Sequence, residues 1–266
     1  MARRLDGKVA IITGASRGLG EYCAVGYARE GASVVIAART EEVKDPQLPG
    51  TIYDTARAVE EVDGDSFPVV CNVADLESVK RMVDRVLEHY GQIDILMNNA
   101  AVQPPGFIST MEARHWELEF RVNVHGPFYC ARAVLPHMTS RKTGNIINIS
   151  SGAARGGSHY GITKRALESF TVGLANEQRE NGIAVNCLKP VGAIDTPGLR
   201  YGRVPGQVGG GNVGRNLPSP DSYVEAAVLL GMQTVESCTG EVFNDAEAVA
   251  RFADDATKRR LAPAPG

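Results

Sequence analysis

Residues 8–20 read K-V-A-I-I-T-G-A-S-R-G-L-G, and this stretch decides the fold. A compact β-branched run over 8–13 leads directly into a glycine-rich turn, which is followed by a helical pattern over 18–30. A strand, glycine turn and helix in this order are typical of a doubly wound α/β domain, where amides at the helix N-terminus face a phosphate. Glycine turns also occur without any ligand, so only the strand–turn–helix context favours a nucleotide site.

Short apolar runs and amphipathic stretches alternate along the rest of the chain. Further strands are predicted at 33–38, 67–73, 93–100, 144–150, 183–188 and 240–244, and helices at 51–62, 75–90, 112–138, 158–180 and 221–232. The strands are apolar throughout, which indicates burial on both faces, parallel pairing and right-handed crossovers. The sequence therefore predicts an α/β fold, with a doubly wound parallel sheet of about seven strands in a three-layer sandwich. We expect one domain over 1–266, with a Gly-rich loop at about 198–218 that is either a substrate lid or an ordinary surface loop.

The bulk composition narrows the classes of function. The 266 residues are 43% apolar and 22% charged with a formal net charge of −3, so neither nucleic acid nor an acidic membrane is an expected partner. No secretory signal and no run of about 20 apolar residues is present, which predicts a cytoplasmic protein without a membrane span. Five scattered cysteines without a C-x-x-C pair indicate buried thiols, and five histidines without ligand spacing indicate no metal site.

The glycine turn and the end of the second strand indicate which dinucleotide would bind. Gly14 permits a tight turn, Gly18 a close approach to phosphates, and Gly20 close packing of the helix on the strand. The second strand ends at Arg39 instead of an acidic residue, and Arg17 lies in the glycine turn. Two guanidinium groups at this corner favour a 2′-phosphate, so we predict NADP(H) over NAD(H). In the alternative interpretation, Arg39 is only a solvated charge at a strand end.

The candidates for chemistry lie between the fifth strand and the following helix. Tyr160 and Lys164 are four residues apart on a predicted helix and therefore share a face. An ammonium group beside a phenol lowers the phenol's pKa, as a general acid or base requires, although Y-x-x-x-K occurs often by chance. Ser151, at the end of the preceding strand, could hold a substrate oxygen. Asn123 is polar in an apolar helical run, and this position fits either a catalytic role or an interhelical hydrogen bond.

In their order and spacing, these motifs resemble the short-chain dehydrogenase/reductase family over nearly the whole chain. The matching stretches are T-G-A-S-R-G-L-G (13–20), N-N-A-A (98–101), Asn123, I-S-S (149–151), Y-G-I-T-K (160–164) and the loop from Pro190 to Thr196. The resemblance implies a Rossmann fold, NAD(P)-dependent carbonyl/alcohol chemistry and a homodimer or homotetramer. The insert at 40–50 with P-G-T-I-Y (49–53) and the stretch K-P-V-G-A-I-D-T (189–196) are similar to the hydroxysteroid dehydrogenase-like and citronellol dehydrogenase-like branch.

The resemblance also implies roles for individual residues. Tyr160 would be the proton donor or acceptor, Ser151 would polarise the carbonyl, and Asn123 would position a water linking the lysine to solvent. Lys164 would hold the nicotinamide ribose and lower the pKa of Tyr160. Asn72 would accept a hydrogen bond from the adenine amino group through its side-chain carbonyl. The implied cofactor-binding residues are Gly14, Ser16, Arg17, Gly18, Leu19, Gly20, Arg39, Asn72, Val73, Asn99, Ala100, Tyr160, Lys164, Ile194 and Thr196.

Three positions depart from the family pattern. Ala101 stands where the family usually has Gly, and Asn72 where it usually has Asp. Only eight residues separate Ser151 from Tyr160, fewer than is usual in the family. Gly152, Gly156 and Gly157 permit unusual dihedrals and could let the short loop close, or the loop could displace Ser151.

The sequence predicts hydride transfer between NADP(H) and the carbonyl or secondary alcohol of a small, hydrophobic substrate. Two other classes of protein stay open. A non-catalytic NADP(H)-binding regulator would fit the shortened serine loop, and an interaction module built on the same scaffold would bind no NADP(H) at all.

Overall fold

Seven parallel strands form one sheet in a computed structural model of the protein, which describes residues 3–201, 217 and 219–262. The strands are β1 (Val9–Thr13), β2 (Ser33–Ala38), β3 (Asp65–Val70), β4 (Ile95–Asn98), β5 (Gly144–Ile149), β6 (Ile183–Lys189) and β7 (Val242–Asn244). Their spatial order is β3-β2-β1-β4-β5-β6-β7. The order reverses between β1 and β4, and such a switch point opens a crevice at the carboxyl ends of the strands.

Helices cover both faces of the sheet. They are α1 (Gly18–Arg29), α2 (Ile52–Glu60), α3 (Leu76–Tyr90), α4 (Ala113–Phe120), α5 (Gly126–Arg141), α6 (His159–Gln178), α7 (Pro197–Tyr201), α8 (Asp221–Gly231), α9 (Asp245–Phe252) and α10 (Asp255–Leu261). One apolar core lies between the sheet and the layer of α1, α2, α8 and α9, and a second lies under α3, α5 and α6. These two cores and the parallel sheet confirm the predicted doubly wound, three-layer α/β fold.

The strand registers explain why the predicted pattern holds. β1 pairs with β2 from Val9↔Ser33 to Thr13↔Ala37, and all five residues of β1 are buried. Because β1 has neighbours on both edges and helices on both faces, its side chains are apolar except for Thr13 at its end. β3 lies at the sheet edge, and its first residue, Asp65, is exposed. The sequence predicts this strand over 67–73, which begins two residues too late and runs into the following turn. The polar start of β3 explains the late beginning.

The predicted helix over 112–138 is interrupted at its centre. A π-helical turn, Arg121–His125, separates α4 from α5, and α5 continues to Arg141. A π-turn adds one residue to the repeat and often marks a functional position, and here it contains Asn123. The short helices α7, α9 and α10 were not predicted.

Two predictions extend beyond the part of the chain that the structure describes. The single domain over 1–266 includes residues 1–2 and 263–266, and the Gly-rich loop at 198–218 includes residues 202–216 and 218. Both therefore stay predictions. Within the described ranges, no helix combines the length and apolar character needed to cross a bilayer.

Candidate active site

The glycine turn between β1 and α1 brings backbone segments into unusually close contact. Gly14 and Gly18 have φ angles of +66° and +61°, in the left-handed region that favours glycine. A Cβ on Gly14 would lie 2.6 Å from Ala100 Cα, and a Cβ on Gly20 would lie 2.5 Å from Asn99 Nδ2. The tight turn predicted for Gly14 is therefore present. Gly20 lets α1 pack on the turn itself and on the end of β4.

Thr13, which the sequence analysis did not single out, ties this turn to β4. Its hydroxyl donates to Met97 O at 3.3 Å and accepts from the backbone amides of Asn99 and Ala100, each at 3.1 Å. The Asn99 side chain donates in return to Thr13 O at 2.8 Å and Gly14 O at 3.2 Å. Asn99, predicted to lie along the cofactor, thus holds the glycine turn in shape. The only sequence signal was a threonine just before the glycine.

The start of α1 has the features of an anion site. Its N-cap residue, Arg17, makes no side-chain hydrogen bond, which leaves amides of the first turn to a ligand, and the Gly18 amide interacts with the Glu21 carboxylate. Ser16 is buried and Leu19 partly buried at this end of the helix. Arg17 donates from Nη2 to Gly50 O at 2.8 Å, which joins the 40–50 insert to the turn.

Arg17 and Arg39 lie close enough to affect each other. Burial lowers the pKa of Arg17, and the positive charge of Arg39 lowers it further. Arg39 itself is exposed at the end of β2. The two guanidinium groups thus form one positive corner beside the glycine turn, as the sequence predicted.

Asn72 and Val73 follow β3 at the same edge of the sheet. Asn72 Oδ1 accepts from Ala74 N at 3.2 Å, and Ser78 Oγ accepts from Asn72 N at 3.0 Å. The side-chain carbonyl predicted to contact adenine is therefore already used once within the turn. Val73 is buried and packs against Gly126, where an added Cβ would lie 3.0 Å from Val73 Cγ2.

The loop after β6 reaches back to the glycine turn. A Cβ on Gly18 would lie 3.2 Å from both Cβ and Cγ2 of Thr196. Thr196 Oγ1 accepts from Leu199 N at 3.1 Å, and Ile194 is buried in the core beneath. Two predicted cofactor residues thus lie where this loop covers the start of α1.

Tyr160 and Lys164 stand on one face of α6, as predicted. Lys164 Nζ lies 5.4 Å from the Tyr160 ring centroid and donates to Ile149 O, at the end of β5, at 2.7 Å. Burial lowers the pKa of Lys164 to about 8, with Cys187 and Glu119 opposing that shift. The pKa of Tyr160 is raised by burial and next by the charge of Glu119. The implied lowering of the Tyr160 pKa by Lys164 is therefore not seen, and burial and the Glu119 charge both raise that pKa.

The short loop between Ser151 and Tyr160 closes as a single 3₁₀ turn over Gly152–Arg155. Ser151 Oγ accepts from Ala153 N at 3.2 Å and makes no other hydrogen bond among the described residues, so its proton stays available to a ligand. Ser158 caps α6 by accepting from Gly161 N at 3.0 Å. Ser150, in contrast, donates to Glu168 at 2.9 Å, which agrees with its predicted orientation away from the site.

Asn123 connects three parts of the site. Its Nδ2 donates to Val102 O at 2.9 Å and Thr163 Oγ1 at 3.1 Å, and its Oδ1 accepts from Val102 N at 2.9 Å. The interhelical hydrogen bond that the sequence left open is thus present. Both amide hydrogens are used within the protein, so the implied water contact of Asn123 stays a prediction.

A buried ionisable pair beside Tyr160 was missed in the sequence. His159 Nδ1 lies 2.7 Å from Glu119 Oε2, and His159 Nε2 lies 3.1 Å from Gly106 O. The side chains of His159 and Glu119 are 3% and 0% exposed. The signal available was weak, because a Glu in α4 and a His before the tyrosine have no periodic relation.

The glycine turn follows β1, and Lys164, beside Tyr160, donates to the last residue of β5, so both groups lie at the carboxyl edge of the sheet. Residues 8–203 match the family model described as short chain dehydrogenase. The chain belongs to the short-chain dehydrogenase/reductase family. The family resemblance seen in the motifs is thereby confirmed.

Individual relatives agree with this assignment. Hydroxysteroid dehydrogenase-like protein 2 of Danio rerio is 33% identical over 249 residues, which cover 91% of this short-chain dehydrogenase/reductase and 58% of the relative. The chain thus spans somewhat more than half of that protein, whose branch is the one expected from the sequence.

Solved structures share the fold over most of their length. A short chain dehydrogenase from Mycobacterium thermoresistibile superposes with a TM-score of 0.82 at 29% identity, over 94% of this chain and 89% of that one. A gluconate 5-dehydrogenase from Burkholderia cenocepacia J2315, solved with NADP and tartrate, gives 0.77 at 29% identity, over 91% and 95%.

All five cysteines are buried and free, as expected for thiols outside disulfides. Among residues 3–201, 217 and 219–262, no group of three or more His, Cys, Asp or Glu side chains has an arrangement that could hold a metal ion.

Proposed function

We propose that the protein transfers a hydride between NADP(H) and the carbonyl or secondary alcohol of a small hydrophobic molecule. The observation that carries this proposal is the placement of Tyr160 and Lys164 on one face of α6, where Lys164 donates to Ile149 O at the end of β5, two residues before Ser151. These groups share the carboxyl edge of the sheet with the glycine turn, where a doubly wound fold binds its dinucleotide.

The residues around the glycine turn fit such a cofactor. The uncapped start of α1 would face the pyrophosphate, and Gly14 and Gly18 keep side chains out of its path. Arg17 and Arg39 form the positive corner suited to a 2′-phosphate. This positive corner supports NADP(H) over NAD(H), and the NADP held by the gluconate 5-dehydrogenase is consistent with it.

Tyr160, Ser151 and Lys164 would each have a separate role in the reaction. The nicotinamide supplies or accepts the hydride. In reduction, Tyr160 gives its phenolic proton to the substrate oxygen, and Ser151 donates a hydrogen bond to that same oxygen. In oxidation, Tyr160 takes the proton from the alcohol. Lys164, fixed to Ile149 O and protonated at neutral pH by its pKa of about 8, stabilises the phenolate.

The loop between β4 and α4 supports an apolar substrate. Phe107 and Ile108 are 49% and 51% exposed on this loop, beside Gly106, which His159 contacts. Large apolar side chains exposed next to a site commonly serve recognition. The substrate would therefore present an apolar group to the loop and a carbonyl to Ser151.

A panel of ketones and aldehydes with NADPH tests the proposal directly. Turnover measured as loss of NADPH absorbance is the expected result, and tight NADPH binding without turnover of any compound would instead favour the regulator. No NADPH binding in a folded sample would favour the interaction module. NADH in parallel reactions gives the cofactor preference.

Replacing Ser151 with Ala tests whether the short loop keeps this serine in place. One neutral hydrogen bond contributes about 1 kcal/mol, so we expect kcat to fall roughly fivefold with NADPH affinity unchanged. Ser150→Ala is the matched control, since its hydroxyl binds Glu168 outside the crevice and its loss should leave kcat nearly intact. Equal rates for wild type and Ser151→Ala would contradict the assigned role.

The helices beside the site support self-association into a homodimer or homotetramer. α5 and α6 line a groove of about 810 Å³ with Phe128, Leu135, Phe170 and Leu174 among its residues. Phe128 is 44% exposed, and a second copy of the same helices would cover it.

Phe128→Glu is expected to convert the oligomer to single chains, because a charge in an apolar contact between copies is costly to desolvate. Light scattering after size-exclusion chromatography measures the mass. Tyr53→Glu is the control, since Tyr53 is equally exposed on α2 in the opposite layer. Wild-type protein that runs as a single chain at all concentrations would refute the proposed assembly.

A cytoplasmic location completes the proposal. The five buried, free thiols fit a reducing compartment, where disulfides are rare.

A further inference from the structure

A buried Glu119–His159 pair lies between α4, α6 and the loop 101–112, outside the set of residues expected to do the chemistry. The hydrogen bonds of His159 fix where the protons must be. Gly106 O can only accept, so His159 Nε2 carries a proton and donates across their 3.1 Å contact. The 2.7 Å contact between His159 Nδ1 and Glu119 Oε2 then holds one further, shared proton. The pair is either imidazolium with carboxylate or neutral imidazole with carboxylic acid, and both forms are neutral overall.

Burial makes loss of the shared proton costly. Glu119 is fully buried, and its second oxygen, Oε1, has no hydrogen-bond partner among the described residues. Without the shared proton, an uncompensated negative charge would remain in this dry position. Burial raises the pKa of Glu119, and the His159 hydrogen bond and the charge of Lys164 only partly oppose that shift.

The pair also touches both parts of the proposed chemistry. His159 precedes Tyr160 in α6, and its bond to Gly106 holds the loop just before Phe107 and Ile108. The charge of Glu119 raises the pKa of Tyr160 and also that of Lys164. The charged or titratable groups that face Glu119 are therefore His159, Tyr160 and Lys164 from α6.

We propose that Glu119 and His159 are positioning residues that anchor the 101–112 loop and, through one shared proton, set the charge beside Tyr160. This inference rests on the proposed role of Tyr160 as proton donor. The hydrogen bond from His159 to Gly106 holds the loop so that Phe107 and Ile108 face the substrate. The shared proton keeps a net negative charge away from the phenol of Tyr160. Neither residue contacts the substrate.

Two single variants and their combination separate the hydrogen bond that holds the loop from the charge beside Tyr160. Glu119→Gln keeps both hydrogen bonds, because the amide can donate to Nδ1 while Nε2 still donates to Gly106, but it removes the ionisable carboxyl. His159→Phe removes both bonds and leaves the carboxyl unpaired. In the double variant, His159→Phe with Glu119→Gln, the unpaired charge is gone and only the anchor is lost.

Hydrogen exchange of the 101–112 amides measures the anchor without any turnover. We expect exchange to rise roughly tenfold in His159→Phe, the factor for one lost hydrogen bond, and to stay near wild type in Glu119→Gln. Unchanged exchange in His159→Phe overturns the anchoring role.

The charge beside Tyr160 is measured from the pH profile of kcat/KM for carbonyl reduction, at its alkaline limb, where activity falls as pH rises. Reduction needs protonated Tyr160 and is lost as pH rises through its pKa. The pair is neutral in the wild type and in Glu119→Gln, so these two proteins should share one limb. His159→Phe leaves a Glu119 charge that raises the pKa of Tyr160, so its limb should move to higher pH, and the double variant should move it back. In the oxidation direction, activity in His159→Phe should appear at higher pH for the same reason. A limb at the wild-type position in His159→Phe overturns the coupling.

Trp116, the single tryptophan of the chain, supplies a readout that survives failure of the proposed function. It lies on α4, three residues before Glu119, and its emission should show a pH transition that Glu119→Gln abolishes. His115, on the same helix, is replaced by Gln in both backgrounds so that Glu119 and His159 are the pair under test. If no carbonyl is reduced, the proposed function fails, but hydrogen exchange and Trp116 emission still test the roles of Glu119 and His159. An identical emission transition in the wild type and in Glu119→Gln would show that the two residues share no proton.

Discussion

Tyr160→Phe is expected to lower kcat for carbonyl reduction by about 10³-fold, because a positioned general acid typically contributes between 10² and 10⁴. The phenyl ring fills the same space, so only the transferable proton is lost. The hydroxyl makes no hydrogen bond with another described residue, and its loss should neither free a buried partner nor lower stability. Initial rates with saturating NADPH measure the effect.

The control for Tyr160→Phe removes a phenolic hydroxyl elsewhere. Tyr90 ends α3, at the edge of the sheet opposite the crevice, and Tyr90→Phe should keep the wild-type rate. NADPH affinity, followed by its fluorescence, should be similar in all three proteins. A Tyr160→Phe enzyme with normal kcat would mean that another group transfers the proton, and the mechanism would be wrong.

The fold could be read from the sequence because burial on both faces constrains each central strand. β1 and β2 are apolar except for Thr13 and Ser33 at their ends, and glycine at 14 and 18 is favoured by positive φ. The predicted bounds of the edge strand β3 were wrong because most of its residues are only partly buried or exposed, so they need not be apolar. The π-turn over Arg121–His125 was not predicted, because one additional residue in a helical repeat leaves the apolar pattern almost unchanged.

The sequence could predict which site residues lie together only where they share one helix, with a spacing that places them on the same face. Tyr160 and Lys164 share a helix face, so their spacing alone places them together. Thr13 with Asn99, and Glu119 with His159, are 86 and 40 residues apart, and their pairing depends on tertiary packing. The raised pKa of Tyr160 has the same origin, because burial and the Glu119 charge are properties of the assembled crevice.

The proposed preference for NADP(H) would depend on Arg39 more directly than on any other residue of the positive corner. Arg17 is partly engaged with Gly50 O and lies in the glycine turn, so its replacement would also disturb the insert at 40–50. Arg39 is exposed at the end of β2, and no pairing with an acidic residue is seen within the described part of the chain. A change there alters charge with little effect on packing.

Arg39→Asp is expected to lower the ratio of kcat/KM for NADPH over NADH by roughly 100-fold. A charge-assisted hydrogen bond contributes about 1.5–3 kcal/mol, and a carboxylate in its place repels the 2′-phosphate and accepts from the ribose 2′-OH. Arg29→Asp makes the same charge change at the other end of α1 and should leave the ratio unchanged. The preference for NADPH should also weaken with salt, since the phosphate contact is exposed. An Arg39→Asp enzyme with the wild-type ratio would show that Arg39 is a solvated charge, and the NADP(H) preference would then have to depend on Arg17 alone.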